Sequence, residues 1–182
     1  MTSQEIALEK IAHCKAHKLP YLNLSRLSLS TIPQELSELT WLQSLSLSHN
    51  KLSNIEALSV LPNIHKLAFS HNQIENIDTL KQHSKLKFLF MKNNQISTLS
   101  ALTTLQKLKK IEASNNHIES LPSLASLIQL VFLNIENNNI KEVESLEKIQ
   151  TLKWLSLKDN LLSKESLLSL KKRLPHLFMF RY

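Results

Sequence analysis

Asparagine stands at positions 50, 72, 94, 116, 138 and 160, one every 22 residues. Each closes the phrase L-x-x-L-x-L-x-x-N-x-L, with Ile, Val, Phe, Met or Ala at some of the leucine positions. A fixed period of this length means one supersecondary unit repeated along the chain. A single unit cannot bury its own apolar face, so each must stack on the next. The chain is thus a scaffold with fixed positions that build the fold and variable positions that face outward.

The phrase has two halves. In Y-L-N-L-S, S-L-S-L-S and F-L-F-M-K, apolar and variable residues alternate, which predicts a short strand. Leu45 and Leu47 point inward; Ser44, Ser46 and Ser48 point out. After the Asn, apolar residues recur every third position, as in Ile74, Ile77 and Leu80, which suits 3₁₀ or irregular turns better than α-helix. The repeats start at Leu19, Leu42, Ile64, Leu86, Leu108, Leu130 and Leu152, and an eighth, partial one is predicted from Leu174. The first interval is one residue longer, near Pro33, and Leu27 replaces the first repeat's Asn, so its turn must be built differently. The expected fold class is an α/β repeat: a curved solenoid with a concave parallel sheet, convex 3₁₀ turns and a helical cap at each end.

Residues 1–18 read as an N-terminal cap. Thr2 or Ser3 caps a helix whose apolar face is Ile6, Ala7, Ile11 and Cys14. Repeats fill 19–162. Residues 163–182 read as a C-terminal cap: Ser163 caps a helix to about Arg173 with Leu167, Leu168 and Leu170 inward, and a last strand runs from Leu177 to Phe180. On this division the chain is one domain, with no room for a catalytic one.

The six asparagines, Asn50, Asn72, Asn94, Asn116, Asn138 and Asn160, are read as structural, each amide pairing with backbone groups of its own turn and the adjacent coil. The chain has no glycine, so Walker loops, dinucleotide fingerprints and nucleophile elbows are not expected. Asparagines should take the left-handed turn positions that Gly often fills. No nucleophile–base pair or metal cluster stands out; neither catalytic residues nor a cofactor or metal is predicted. One cysteine, Cys14, no signal-like opening run and no apolar span point to an intracellular, reducing location.

On these residues the chain resembles the leucine-rich repeat superfamily from residue 19 to 182, in its 22-residue subclass. A regulatory subunit of protein phosphatase 1 typifies that subclass, and bacterial internalins share its repeat length. The opening A-L-E-K-I-A-H-C-K-A-H-K-L-P-Y-L-N-L-S and I-P-Q-E-L are similar to the start of intracellular bacterial repeat regions. The resemblance implies binding to other macromolecules, usually through the concave sheet. It extends to effectors of intracellular pathogens, for which the host cytosol would be the location.

The predicted concave face follows by register. Its third column reads Tyr21, Ser44, Lys66, Phe88, Lys110, Phe132, Trp154, and its fifth Asn23, Ser46, Ala68, Phe90, Glu112, Asn134, Ser156. Aromatic anchors with interspersed charge make a protein-binding surface. The candidate partner-binding residues are Tyr21, Lys66, Lys87, Phe88, Phe90, Lys110, Glu112, Phe132 and Trp154. Outward-facing and rim columns carry eight cations against three acids, most of the chain's formal +7. The expected partner is a protein with an acidic, partly apolar surface, bound by a monomer that recruits, regulates or inhibits it. The alternative is RNA or an anionic membrane held by the basic concave face. His49 and His71 share a column and should lie about 5 Å apart, but two histidines without a third ligand make a poor metal or pH-sensing site.

Overall fold

The computed structural model describes residues 1–182. Helix α1 (Ser3–Ala16) is followed by β1 (Tyr21–Asn23), β2 (Ser44–Ser46), β3 (Lys66–Ala68), β4 (Phe88–Phe90), β5 (Lys110–Glu112), β6 (Phe132–Asn134), β7 (Trp154–Ser156), helix α2 (Lys164–Arg173) and β8 (Met179–Arg181). The eight strands form one parallel sheet in chain order. Every pairing from β2 to β7 advances 22 residues, as in Lys66↔Phe88↔Lys110. The solenoid is curved, with the sheet on its inner face and 3₁₀ turns outside.

One apolar cluster runs from Ala7 on α1 to Leu174 after α2. Each strand contributes its middle residue, from Leu22 and Leu45 through Leu155, and Leu47, Phe69, Met91, Ala113 and Ile135 follow two places later. Thr2 caps α1 through a reciprocal pair: its Oγ1 accepts from Glu5 N at 3.2 Å, and Glu5 Oε2 accepts from Thr2 N at 2.7 Å. Ala7, Ile11 and Cys14 are buried and seal the first repeat. Burial pushes the Cys14 thiol pKa up, which keeps it protonated.

The recurring asparagines bond across repeats. Asn94 Oδ1 accepts from Ile74 N at 3.0 Å, and its Nδ2 donates to Phe69 O and Met91 O, both at 3.1 Å. Asn116 and Asn138 repeat the pattern one and two units on. In the first repeat, where Leu27 replaces Asn, Asn50 Oδ1 instead accepts from both Leu27 N and Leu29 N, at 3.1 and 3.0 Å. The left-handed turn position is the residue before each ladder Asn. It is held by Asn93, Asn115 and Asn137, but also by His49, His71 and Asp159, with φ between 50° and 59°. The expectation that Asn replaces Gly therefore holds in three of these six turns.

The convex turns are 3₁₀ at Gln34–Glu38, Glu56–Val60, Asp78–Gln82, Ser100–Leu102 and Glu144–Lys148. In the last four, the preceding residue sits near ψ of 6–21°. A residue before proline avoids that region. Leu121 precedes Pro122, and there no 3₁₀ turn forms; the backbone pairs Thr98 with Ser120 instead.

Two C-terminal expectations are corrected. Leu168 is exposed, while Leu167 and Leu170 face the core, because Leu168 sits about 100° round the helix from Leu167. The eighth strand is Met179–Arg181, not Leu177–Phe180, and its register is Trp154↔Met179, an interval of 25 residues. An α-helix rises only about 1.5 Å per residue, so α2 spends more residues than a 3₁₀ turn to cross the convex side.

One buried position breaks the pattern. Leu39, Leu61, Leu105, Leu127 and Ile149 form a core column, and His83 stands among them, 1% exposed. Its Nδ1 lies 3.2 Å from Thr79 O and its Nε2 3.1 Å from Leu58 O. A neutral imidazole has one N–H, so one nitrogen presents a lone pair to a carbonyl. Burial nevertheless dominates and lowers the His83 pKa, although the carbonyls oppose it.

Two outcomes are expected. Asn94→Ala should lower stability by about 1–3 kcal/mol, measured by urea denaturation, because three backbone groups lose their partner; an unchanged midpoint would refute the ladder's role. Because folding lowers the His83 pKa, the unfolded chain binds the proton more readily, and stability is lost as pH falls below about 6.5. His83→Leu should therefore gain more melting temperature over the parent at pH 5 than at pH 7.5. An equal difference at both would show that His83 does not set the slope; His65 and His71, also lowered, remain in both proteins.

Candidate partner-binding surface

Parallel pairing converts sequence columns into rows of touching side chains. Tyr21, Ser44, Lys66, Phe88, Lys110, Phe132, Trp154 and Met179 lie in one row across the inner face. Asn23, Ser46, Ala68, Phe90, Glu112, Asn134, Ser156 and Arg181 form the next. Since neighbours are about 4.8 Å apart, aromatic rings and cations in adjacent repeats are in direct reach.

They form a belt. Lys66 Nζ lies 5.6 Å from the centre of the Phe90 ring, and Lys110 Nζ lies 5.6 Å from the same ring on the other side. Lys110 is also 3.8 Å from the Phe132 ring. Phe132 and Trp154 stack at 4.1 Å with planes 7° apart, and the Arg181 guanidinium sits 6.0 Å from Trp154. Each cation–ring contact is worth about 0.5–1 kcal/mol at an exposed site. The belt is thus held in place before any partner arrives, and its rings are half-buried against their neighbours.

The acids of the face are tied down. Glu112 accepts from Ser114 Oγ at 2.9 Å, and Glu136 accepts from Ser156 Oγ. Ser114 and Ser156 are buried, so Ser156 keeps its place in the inner row but is covered by its neighbours.

The remaining candidates lie apart from the belt. Phe88 is exposed beside it. Tyr21, 61% exposed, stands at the N-terminal end. Between Tyr21 and Phe90 the face sinks into a hollow of about 440 Å³, with Ser44, Ser46, Ser48, Ala68 and Ser70 lining it and Lys66 at its side. Small side chains in β2 and β3 leave this recess; large ones in β4 to β7 fill the rest. Lys87 lies outside the inner face, in the turn that enters β4, where its N–H donates to His65 O at 2.8 Å.

Arg181 and Met179 were absent from the sequence-based site. Counting by 22 from Trp154 ends at His176, so the added residues of α2 hid their register. The only sequence signal was the predicted α2 itself.

His49 and His71 stack at 4.1 Å, close to the expected spacing. The His71 pKa is lowered, first by burial and then by His49, Lys92 and Arg26. No third His, Cys, Asp or Glu joins them in a metal-sized group. The same exit edge continues as Asn93, 3.0 Å from His71, and as Asn137 donating to Asn115 at 2.5 Å.

A profile described as leucine-rich repeats (2 copies) matches residues 62–104 and 106–148, and a single leucine-rich repeat profile matches 41–61. Among solved structures, a leucine-rich repeat protein of Leptospira interrogans is 27% identical with a TM-score of 0.79, over 83% of this chain and 40% of that one. An internalin C2 of Listeria monocytogenes is 26% identical with a TM-score of 0.71, over 89% of this chain and 80% of that one. An internalin F of the same species has a TM-score of 0.81 at 24% identity, over 93% and 56%, and so speaks to the fold alone. This chain thus spans two fifths of the Leptospira protein and a little over half of internalin F. No curated protein sequence matches it. The profiles cover more than half of the chain, in the register of the asparagine ladder: it belongs to the leucine-rich repeat family.

Proposed function

We propose that this chain is a non-catalytic module that binds a partner protein through its concave face. The family's architecture is a protein–protein interaction scaffold. The observation that carries the finer reading is the belt Lys66–Phe90–Lys110–Phe132–Trp154–Arg181, in which cations lie against aromatic faces. Rings with little conformational freedom to lose, flanked by cations, suit a partner surface that is partly apolar and acidic. The recess between Tyr21 and Phe90 offers room for a protruding side chain of that partner. A sheet of eight strands spans about 35 Å, the width of a small domain, so the face is large enough to occlude a partner enzyme's site.

The role we infer is recruitment, regulation or inhibition of that partner, inside a cell, by a monomer. The reducing location in this reading rests on the cysteine count alone: Cys14 has no second cysteine with which to form an internal disulfide. The bacterial sources of the similar structures support a bacterial interaction protein, and an effector role is the form of it we propose.

The test is capture of partners at moderate salt with the parent chain and with Phe88→Ala/Phe90→Ala/Trp154→Ala. A single protein should be recovered by the first and lost from the second, with affinity reduced about 30-fold or more per anchor. Lys110→Glu should weaken binding while costing no more stability than its two cation–ring contacts supply, about 1–2 kcal/mol. Equal recovery with parent and triple variant would place the site elsewhere. Recovery of nucleic acid that disappears at high salt would favour the electrostatic alternative.

A further inference from the structure

A second surface lies along the rim where the chain enters the strands. Just before each strand, backbone bonds link one residue per repeat: Lys109 N to Lys87 O at 2.8 Å, Val131 N to Lys109 O at 2.9 Å, Lys153 N to Val131 O at 2.9 Å, and Phe178 N to Lys153 O at 2.8 Å. Lys87, Lys109, Val131, Lys153 and Phe178 therefore form a straight row about 19 Å long at one residue per strand spacing. Phe178 is 89% exposed, Val131 is exposed, and Ile128 in the turn ahead of β6 is exposed as well. Phe178 and Ile128 are two of the three most exposed large apolar side chains of the protein, and the core needs none of these three rim residues.

The charge of this rim has one sign. Residues 82–88, 104–110, 126–132, 148–154 and 174–179, which lead into β4 to β8, contain no Asp or Glu, and Glu147, one place ahead of the fourth, is paired with Arg173. Lys85 and Lys107 flank the row, and with Lys87 they help lower the pKa of the neighbouring His65 after burial, as expected where cations crowd. Acids such as Glu75, Glu119 and Glu142 lie in the turns that leave the strands.

We propose that this rim is a docking edge for an anionic lipid surface: Phe178, Val131 and Ile128 enter the headgroup–acyl boundary while Lys87, Lys109 and Lys153 lie against the headgroups. Apolar side chains interleaved with lysines on one exposed edge are what such a surface takes up, by apolar burial together with attraction to anionic lipid. Of the three apolar side chains only Phe178 has a ring to stack on a base, so a nucleic acid would leave Ile128 and Val131 unused. No helix of the protein is long and apolar enough to cross a membrane, and none is required. The assignment stands on residues outside the concave belt and is independent of its partner.

The experiment is co-sedimentation of the whole chain with vesicles of phosphatidylcholine, alone or mixed with phosphatidylserine. Binding is expected only to the mixed vesicles. Each lysine near an anionic surface contributes about fivefold in partition, so Lys87→Glu/Lys109→Glu/Lys153→Glu, which reverses three charges, should cost at least about 100-fold. Ile128→Ser/Val131→Ser/Phe178→Ser should cost about tenfold or more, and brominated lipid should quench the fluorescence of Phe178→Trp more than that of the parent, which has only Trp41 and Trp154. All substituted side chains are exposed or half-buried on the rim, and unchanged melting temperatures verify the fold. The concave variant Phe88→Ala/Phe90→Ala/Trp154→Ala should bind vesicles as the parent does. Absence of binding to the mixed vesicles, equal binding to neutral ones, or binding unaffected by either triple would overturn the proposal. Lysine-dependent binding to a single-stranded RNA oligomer without binding to vesicles would also overturn it.

Discussion

The side-chain amide of the repeating asparagine is the interaction on which the array depends. Where the chain leaves each strand it turns sharply, and the turn leaves backbone groups in the interior that neither strand nor 3₁₀ turn can pair. Asn94 takes one N–H and two carbonyls from two consecutive repeats with a single planar group. A leucine there would leave those groups unpaired, at a cost of about 1–3 kcal/mol in all. Because each amide bridges its own repeat and the one before, it also fixes their spacing. The 22-residue step of Lys66, Phe88 and Lys110 on the concave face is set by these buried bonds behind it.

Local departures from the pattern have local causes. The first turn lacks its own Asn, and Asn50 serves both of its N–H groups. The turn at Pro122 cannot close as 3₁₀, because Leu121 is barred from the conformation its counterparts adopt. His83 gives up apolar packing for two carbonyl contacts that one neutral ring cannot satisfy together. The array tolerates each departure because neighbouring repeats carry most of the packing on either side.

The same periodicity that builds the core sorts the surface into rows. Position in the repeat decides whether a side chain faces the hollow, the entering rim or the leaving rim. Cations and rings fall in the two inner rows, lysines and isolated apolar groups on the entering rim, and many acids on the leaving side. Two chemically distinct surfaces thus lie next to each other, a half-buried cation–aromatic belt and an exposed basic–apolar edge.

Fold class, strand polarity, cap helices and the inner rows were legible in the sequence, since period two, period three and the 22-residue step are local properties. They placed Phe90, Lys110, Phe132 and Trp154 side by side, as the register has them. They did not reveal that Lys110 bridges Phe90 and Phe132, that Ser156 is covered, or that Tyr21 stands across a recess from Phe90. Those depend on side-chain size and rotamer in neighbouring repeats. Arg181 joined the belt only through the length of α2, which moves the last strand three residues out of step. Sequence by itself determined which residues share a row, because stacking at a constant interval makes register a matter of counting. Tertiary structure decided which members of a row touch, how deeply each is buried and where the count fails, because these depend on the volume and path of what lies between.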